Sequence, residues 1–282
     1  MFTRRLIATA SAAGLALTLA ACAGPAATPG GSTGGDAAGG DGITIGIKFD
    51  QPGLGLREGD TYSGFDVEVA KYVAKELGHE EGDITWKESP SAQRETLIET
   101  DQVDLIFATY SITDSRKERV SFAGPYFIAG QGLLVRADEA DIKGPDTLDG
   151  KRLCSVTGST PAQKIKDQYP GVELQELGTY SECLPALLNG TLDAMTTDDT
   201  ILAGFAAQEQ YAGKLKLVGE PFTTENYGVG LKKGDVELCE KVNAAITKMI
   251  DEGAWEAAVE KTLGPADYTP GPNNPPTPAA CS

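Results

Sequence analysis

The sequence predicts an α/β fold built as two lobes of similar plan. Three observations carry this. Short apolar runs of strand character alternate with helix-period stretches from residue 43 to residue 263. The alternation is interrupted at 121–130 (SFAGPYFIAG) and at 221–226 (PFTTEN), and the first break is followed by a restart of the same rhythm. A helix–turn–strand unit also occurs twice, as IETDQVDL (98–105) and LNGTLDA (188–194). Each copy leads into a polar cluster, Thr109-Tyr110-Ser111 in one and Thr197-Asp198-Asp199 in the other. Ligands of open α/β sheets bind beyond the carboxyl ends of strands, which makes both clusters candidate site elements.

The elements follow in order. Ile43-Thr-Ile-Gly-Ile47 alternates as a strand. Phe65, Val69, Val73 and Leu77 recur every four residues and form one apolar helix stripe, with Gly78 placed to end it. Residues 84–87 read as a short strand and 91–100 as a helix. The apolar run 103–108 (VDLIFA) reads as a buried strand, and 113–120 as a helix. After the first break, strands are expected at 133–136 and 152–156. Thr160-Pro161 reads as an N-cap followed by Pro at the first helical position, opening a helix to 168. A strand at 172–176, a helix at 181–189 closed by Gly190, a strand at 192–196, a helix at 200–207 and a strand at 215–218 follow. Tyr227-Gly-Val-Gly-Leu231 resumes after the second break, and two helices finish the pattern at 236–252 and 254–263.

The two ends are expected to lie outside the fold. Arg4 and Arg5 precede an apolar stretch, 6–19, that is short for a membrane span. It runs into Leu19-Ala20-Ala21-Cys22, which resembles the lipobox of bacterial lipoproteins, so residues 1–21 are expected to be a signal peptide. Cys22 would then be lipidated, with palmitate among its acyl chains, and two chains suffice for a stable anchor. That places the protein on the extracytoplasmic face of the cell membrane. Residues 22–42, rich in Gly, Ala, Pro, Ser and Thr, read as a flexible tether, and 266–282 as a Pro-rich tail.

Charge and cysteine content agree with export. The net charge is −17, opposite in sign to the basic face a nucleic-acid binder needs. Without Cys22 the remaining cysteines are Cys154, Cys183, Cys239 and Cys281, an even set that allows three disulfide connectivities. Cys154–Cys183 and Cys239–Cys281 are favoured, because each pair lies within one expected region. The second would pin the Pro-rich tail.

Six stretches in sequence carry a family resemblance. They are IGIKFDQPGLG (45–55), GFDVEVAKYVAKELG (64–78), VDLIFATYSITDSRKERVSFAGPY (103–126), DGKRLCSVTGST (149–160), GTLDAMTTDDTIL (190–202) and NYGVGLKKGD (226–235). Over about 43–264 the chain resembles bacterial extracellular solute-binding proteins of family 3, which serve polar amino-acid ABC importers, and most of all the glutamate-binding lipoproteins of Gram-positive bacteria. The resemblance implies a type II periplasmic-binding-protein-like fold whose lobes are joined by two hinge strands. Lobe 1 would comprise 43–125 and 228–265, with lobe 2, 131–222, inserted into it and the two breaks as hinges. The cleft would close on an amino acid, and the closed form would dock on a membrane permease.

A free amino acid presents a carboxylate and an ammonium, and burying both requires charged partners. Arg116 suits the carboxylate, since a guanidinium offers two parallel donors and the helix start beside it favours an anion. It occupies the Arg position of the family's T-D-x-R motif, and Thr109 and Ser111 would add donors. Lys117 and Arg119 read as solvated charges. Asp198 falls where the family places the carboxylate that holds the ammonium, with Asp199 expected to cap the next helix. Ser159 and Thr160 would contribute from lobe 2, or act only as caps. Lys48 follows the first strand, where the family reads the ligand side chain; a Lys there favours glutamate or aspartate over glutamine. Arg94 is a second candidate for that role, and Gln93 and Tyr227 are weaker ones.

Two other readings compete. A dehydratase on the same fold would need a placed general acid, but the only His, His79, is expected in a surface loop. No Ser/His/Asp set, metal-ligand spacing or phosphate loop occurs in the sequence, so neither catalysis nor a cofactor or metal is expected. A sensor lipoprotein reporting amino acids to a signalling partner would share the same cleft.

Overall fold

The structure is a computed structural model that describes residues 42–281. The expected signal peptide, Cys22 and the tether up to residue 41 lie outside the described residues. The chain opens with β1 (Ile43–Ile47), β2 (Asp50–Gln51), β3 (Gly55–Glu58) and β4 (Thr61–Ser63). It continues through α1 (Phe65–Glu76), β5 (Ile84–Glu88), α2 (Arg94–Glu99), β6 (Leu105–Ile106), α3 (Asp114–Lys117) and β7 (Ser121–Ala129). A second set follows: β8 (Gln131–Arg136), β9 (Arg152–Val156), α4 (Thr160–Gln168), β10 (Glu173–Leu177), α5 (Cys183–Leu188), β11 (Ala194–Asp198), α6 (Asp199–Ala206) and β12 (Leu215–Val218). The chain then returns to the first set with β13 (Glu225–Leu231), α7 (Val236–Asp251) and α8 (Ala254–Thr262).

Two five-stranded sheets result, in the orders β5-β1-β6-β13-β7 and β10-β9-β11-β8-β12. They share one plan. In each, the first three strands are parallel, and the fourth runs antiparallel to both its neighbours. The fourth strand is β13 in one sheet and β8 in the other, each the strand that enters its lobe after a crossing. One residue, Gly130, separates β7 from β8. The second crossing runs through 219–224.

Several expectations change. The break at 121–130 is mostly strand: β7 runs nine residues through Gly124-Pro125, and only Gly130 is the interruption. Proline is tolerated because β7 is an edge strand, where a missing N–H removes no ladder bond on the open side. The second break likewise ends early, with β13 starting at Glu225. The buried run at 103–108 makes only a two-residue ladder, although Asp104 and Phe107 still donate their N–H groups to the Thr44 and Gly46 carbonyls. The helix expected at 113–120 is one turn, Asp114–Lys117, capped by Thr113, whose Oγ1 accepts the Arg116 N–H at 3.3 Å. The antiparallel β2–β3–β4 meander has no counterpart in the reading of the sequence, since its strands are too short to establish a period.

The apolar stripe of α1 is buried as its spacing requires. Phe65, Val69 and Val73 pack with the stripe of α7, which buries Cys239, Val242, Ala245, Ile246 and Met249 at helical spacing. Each buried Val, Ile, Met or Phe among them contributes roughly 1.5–3 kcal/mol. Phe65, Phe127 and Trp255 form an aromatic cluster with centroids 5.3–5.7 Å apart, and the Trp255 indole N–H is satisfied by the Tyr126 carbonyl at 2.8 Å. Disulfides join Cys154 to Cys183 and Cys239 to Cys281. No helix among the described residues is long and apolar enough to cross a membrane.

Candidate functional site

The carboxyl ends of the parallel strands in the two sheets face one another across a small, narrow cavity. Ser91, Arg94, Thr109 and Arg116 line it from the first lobe; Ser159, Thr160, Pro161, Tyr180 and Asp198 line it from the second. Topology explains the convergence. Thr109 and Arg116 follow β6, Ser159 and Thr160 follow β9, and Asp198 ends β11. Lys48, after β1, and Ser111 stand outside this lining.

Arg116 is 9% exposed and spans the cleft. Its Nη1 donates to the Ser111 carbonyl at 2.7 Å within its own lobe, and its Nη2 to the Gly158 carbonyl at 3.0 Å in the other. Its Nε lies 3.4 Å from Glu95 Oε1. A guanidinium carries five donors, so donors on both terminal nitrogens stay available to an anion in the cavity. Gly158 has φ +77, and a Cβ there would come 2.8 Å from Ala92 Cα of the first lobe. Only glycine lets the two backbones approach this closely.

Positive charge is concentrated beside Arg116. Arg94, 2% exposed, donates from Nε to the Ser89 carbonyl at 3.3 Å. The Arg94 and Arg116 guanidinium carbons sit 5.0 and 4.9 Å from the Tyr110 ring centroid, so one aromatic ring contacts both cations. Burial first, and Arg116 second, disfavour charge on Arg94, yet the basicity of guanidinium keeps it protonated. Lys48 is 1% exposed and its Nζ makes no hydrogen bond. It forms an ion pair with Asp50 Oδ1 at 3.4 Å and lies 5.8 Å from the Tyr180 ring centroid. Burial pulls its pKa down, and Asp50 partly offsets that. These cations suit a second anionic or polar group besides one held at Arg116.

The second lobe supplies the opposite charge. Asp198, 3% exposed, accepts the Tyr227 hydroxyl at 2.7 Å on Oδ2, while Oδ1 has no partner. Burial drives its pKa well above the usual carboxylate range, and Glu225 adds to that. A cation with hydrogen-bond donors at Oδ1 would reverse the penalty.

The backbone at Thr109 is strained, with φ +46. Its N–H is held by Asp66 Oδ2 at 2.9 Å, and Asp66 Oδ1 accepts the Tyr126 hydroxyl at 2.7 Å. That bond corrects one expectation: the Thr109 N–H is already committed. The Thr109 hydroxyl donates to the Ala108 carbonyl at 2.7 Å. Ser111 Oγ lies 3.2 Å from Thr160 Oγ1 across the cleft, and the Thr160 hydroxyl donates to Glu225 Oε2 at 2.7 Å. Ser159, not Thr160, is the N-cap of α4, its Oγ accepting the Ala162 N–H at 3.1 Å, because Pro161 sits one position later than expected. Asp198, not Asp199, occupies the N-cap position of α6, without a side-chain capping bond.

Gln93 is exposed and takes no part in the cavity. His79 is half-buried on the first lobe and lines a separate groove with Ile43 and Lys248. Asp50, Glu95, Tyr180 and Glu225 were not foreseen, and Tyr110 entered only as a member of the 109–111 cluster. The tripeptide Thr-Tyr-Ser occurs at 61–63, 109–111 and 179–181, and because the first copy forms β4 away from the cavity, the repeat alone does not single out Tyr110 and Tyr180. Ser181 links the lobes too, donating from its N–H and its hydroxyl to Asp50 Oδ2 at 3.2 and 3.3 Å.

The chain is 48% identical over 284 residues to the glutamate-binding protein GluB of Corynebacterium efficiens, covering 94% of this chain and 92% of that relative. It is 36% identical to the ABC transporter glutamine-binding protein GlnH of Bacillus subtilis, over 79% of this chain and 81% of the relative. Among solved structures, an ancestral arginine-binding protein bound to glutamine aligns with a TM-score of 0.74 at 32% identity, covering 79% of this chain and 98% of its own. A family model matches residues 43–265, and the chain belongs to the bacterial extracellular solute-binding proteins, family 3.

Proposed function

We propose that this protein captures glutamate, or the related aspartate or glutamine, by closing its cleft, and delivers it to an ABC permease. The observation that carries the reading is the separation of charge across one cavity: Arg116 on one lobe and Asp198 on the other. A zwitterionic amino acid matches that pair, its carboxylate at Arg116 and its ammonium at the free Oδ1 of Asp198. The names of the relatives support the ligand class, since one is a glutamate-binding and one a glutamine-binding protein. Lys48 and Arg94 favour an acidic side chain over a neutral one. Thr109, Ser159 and Thr160 complete the polar wall, with Ser111 joined to it through Thr160 at 3.2 Å. Lobes divided at 125–131 and 222–228 would turn about the Gly130 and 219–224 crossings, and Cys22 would hold the molecule at the membrane. The role is capture, not catalysis, as in the named binding proteins.

A thermal-shift screen of the twenty amino acids tests this directly. A ligand of the folded state raises the melting temperature by mass action, and glutamate is expected to give the largest rise. No rise with any amino acid would refute the reading.

A further inference from the structure

Residues 266–281 follow the matched family region and pass across the junction between the lobes. The tail leaves α8, in the first lobe, and Ala266 to Thr269 lie beside Ala203, Ala207 and Leu217 of the second. It then returns to the first lobe. Asn274 pairs with both backbone groups of Ile128 in β7, accepting the N–H at 2.9 Å and donating to the carbonyl at 2.8 Å. The Ala279 N–H donates to the Gly124 carbonyl at 2.7 Å, and Cys281 is bonded to Cys239 of α7. Both ends are therefore fixed to one lobe while the middle lies on the other.

Tyr268 makes the bridging contact. Its ring lies 6.5 Å, centroid to centroid, from Phe127 of β7 in the first lobe. Its hydroxyl donates to Asp199 Oδ2 at 3.0 Å in the second. The other oxygen of Asp199 accepts the N–H of Gly130, the single residue between β7 and β8, at 3.2 Å. The Asp199 N–H in turn donates to the Gly130 carbonyl at 2.8 Å. Asp199 directly follows Asp198 in the chain. One phenol thus reaches from the first lobe to the residue that links the lobe crossing to the cavity.

We infer that Tyr268, held in place by the disulfide-pinned tail, is a positioning residue that favours the closed cleft and thereby sets amino-acid affinity. Swinging the second lobe away from the first pulls Asp199, Ala203 and Leu217 off a strap that cannot follow, because both of its ends belong to the first lobe. A contact made only in the closed form shifts the population toward that form and raises apparent affinity by the same factor. The inference rests on the proposed amino-acid-binding role only for its effect on affinity; its effect on closure stands without a ligand.

The test compares the full mature chain with Tyr268→Phe, which keeps the ring, and with a Cys239→Ser/Cys281→Ser double variant, which releases the tail. Pulsed EPR distances between spin labels at Lys75 and Lys214, one exposed residue on each lobe, report closure without ligand. Both variants are expected to shift the ligand-free distances toward the open form. Tyr268→Phe should weaken glutamate binding about fivefold by calorimetry, the scale of one hydrogen bond. Distances that match the parent chain in both variants overturn the inference, whatever the affinities. A parent chain that binds no amino acid would refute the proposed function, and the distance shift would still decide the strap.

Discussion

Arg116 of the first lobe donates across the cleft to the Gly158 carbonyl of the second at 3.0 Å. The same guanidinium is anchored at its base by the Ser111 carbonyl and faced by Glu95, so its direction is set before any ligand arrives. Replacing it removes three things together: a charge, two parallel donors and an interlobe bond. Arg116→Ala is expected to weaken every amino acid by at least about a hundredfold, in line with the 3–5 kcal/mol typical of breaking a buried charged pair. Titration calorimetry with glutamate, aspartate and glutamine checks it. Affinity retained within tenfold would remove Arg116 from the carboxylate seat.

Lys48 is proposed to read the ligand side chain, and it would do so in a different way. It is buried, without a hydrogen bond, and only loosely paired to Asp50. A ligand carboxylate nearby would complete its coordination, whereas an amide would satisfy it only in part. A hydrogen bond to a charged group is worth about 1.5–3 kcal/mol, so Lys48→Met should cost glutamate roughly ten- to hundredfold and glutamine markedly less. The ratio is the readout, because any loss from leaving Asp50 unpaired falls on both ligands alike. Equal losses would place the reading of the side chain elsewhere, with Arg94 the next candidate.

The charged elements of this site were legible because chemistry constrains them locally. Arg116 sits beside a capped helix start, and Asp198 ends a strand in an echo of the first lobe's unit. What was not legible depends on the third dimension. Tyr110 carries two guanidinium groups on one ring, a relation between residues 94, 110 and 116 that no period reveals. Asp50 acts through Lys48 two positions away and Ser181 on the other lobe. The break at 121–130 was misread for a related reason. Gly124-Pro125 signals a turn in isolation, and only the edge position of β7 lets the strand run through it.

Asp198 is expected to make binding depend on pH. Its carboxyl is pushed up by burial and by Glu225, so in the closed cleft it tends to hold a proton that a bound ammonium must expel. An ammonium favours the ionised form, and affinity should therefore fall as pH falls, by at most tenfold per pH unit. Calorimetry in two buffers with different heats of ionisation should show proton release on binding at mildly acidic pH. Affinity unchanged between pH 5 and 7.5, with no proton released, would mean the ammonium is held by another group.

Asp66 couples the strained Thr109 backbone to stability. It is fully buried, and burial lifts its pKa from the ordinary 3.8 to about 6 despite hydrogen bonds from Tyr126 and Thr109 that pull the other way. The sign follows from proton counting. Between pH 4 and 6 the folded protein holds a proton on Asp66 that the unfolded chain has lost, so this group's contribution to stability falls as pH rises through that window and is level above it. The full loss is about 3 kcal/mol. Asp66→Asn keeps an oxygen to accept the Thr109 N–H but cannot ionise. Its stability relative to the parent chain, from urea unfolding, should improve from pH 4 to pH 7 by up to that amount. Parallel curves for the two proteins across the range would show that Asp66 ionises at the ordinary carboxylate pH.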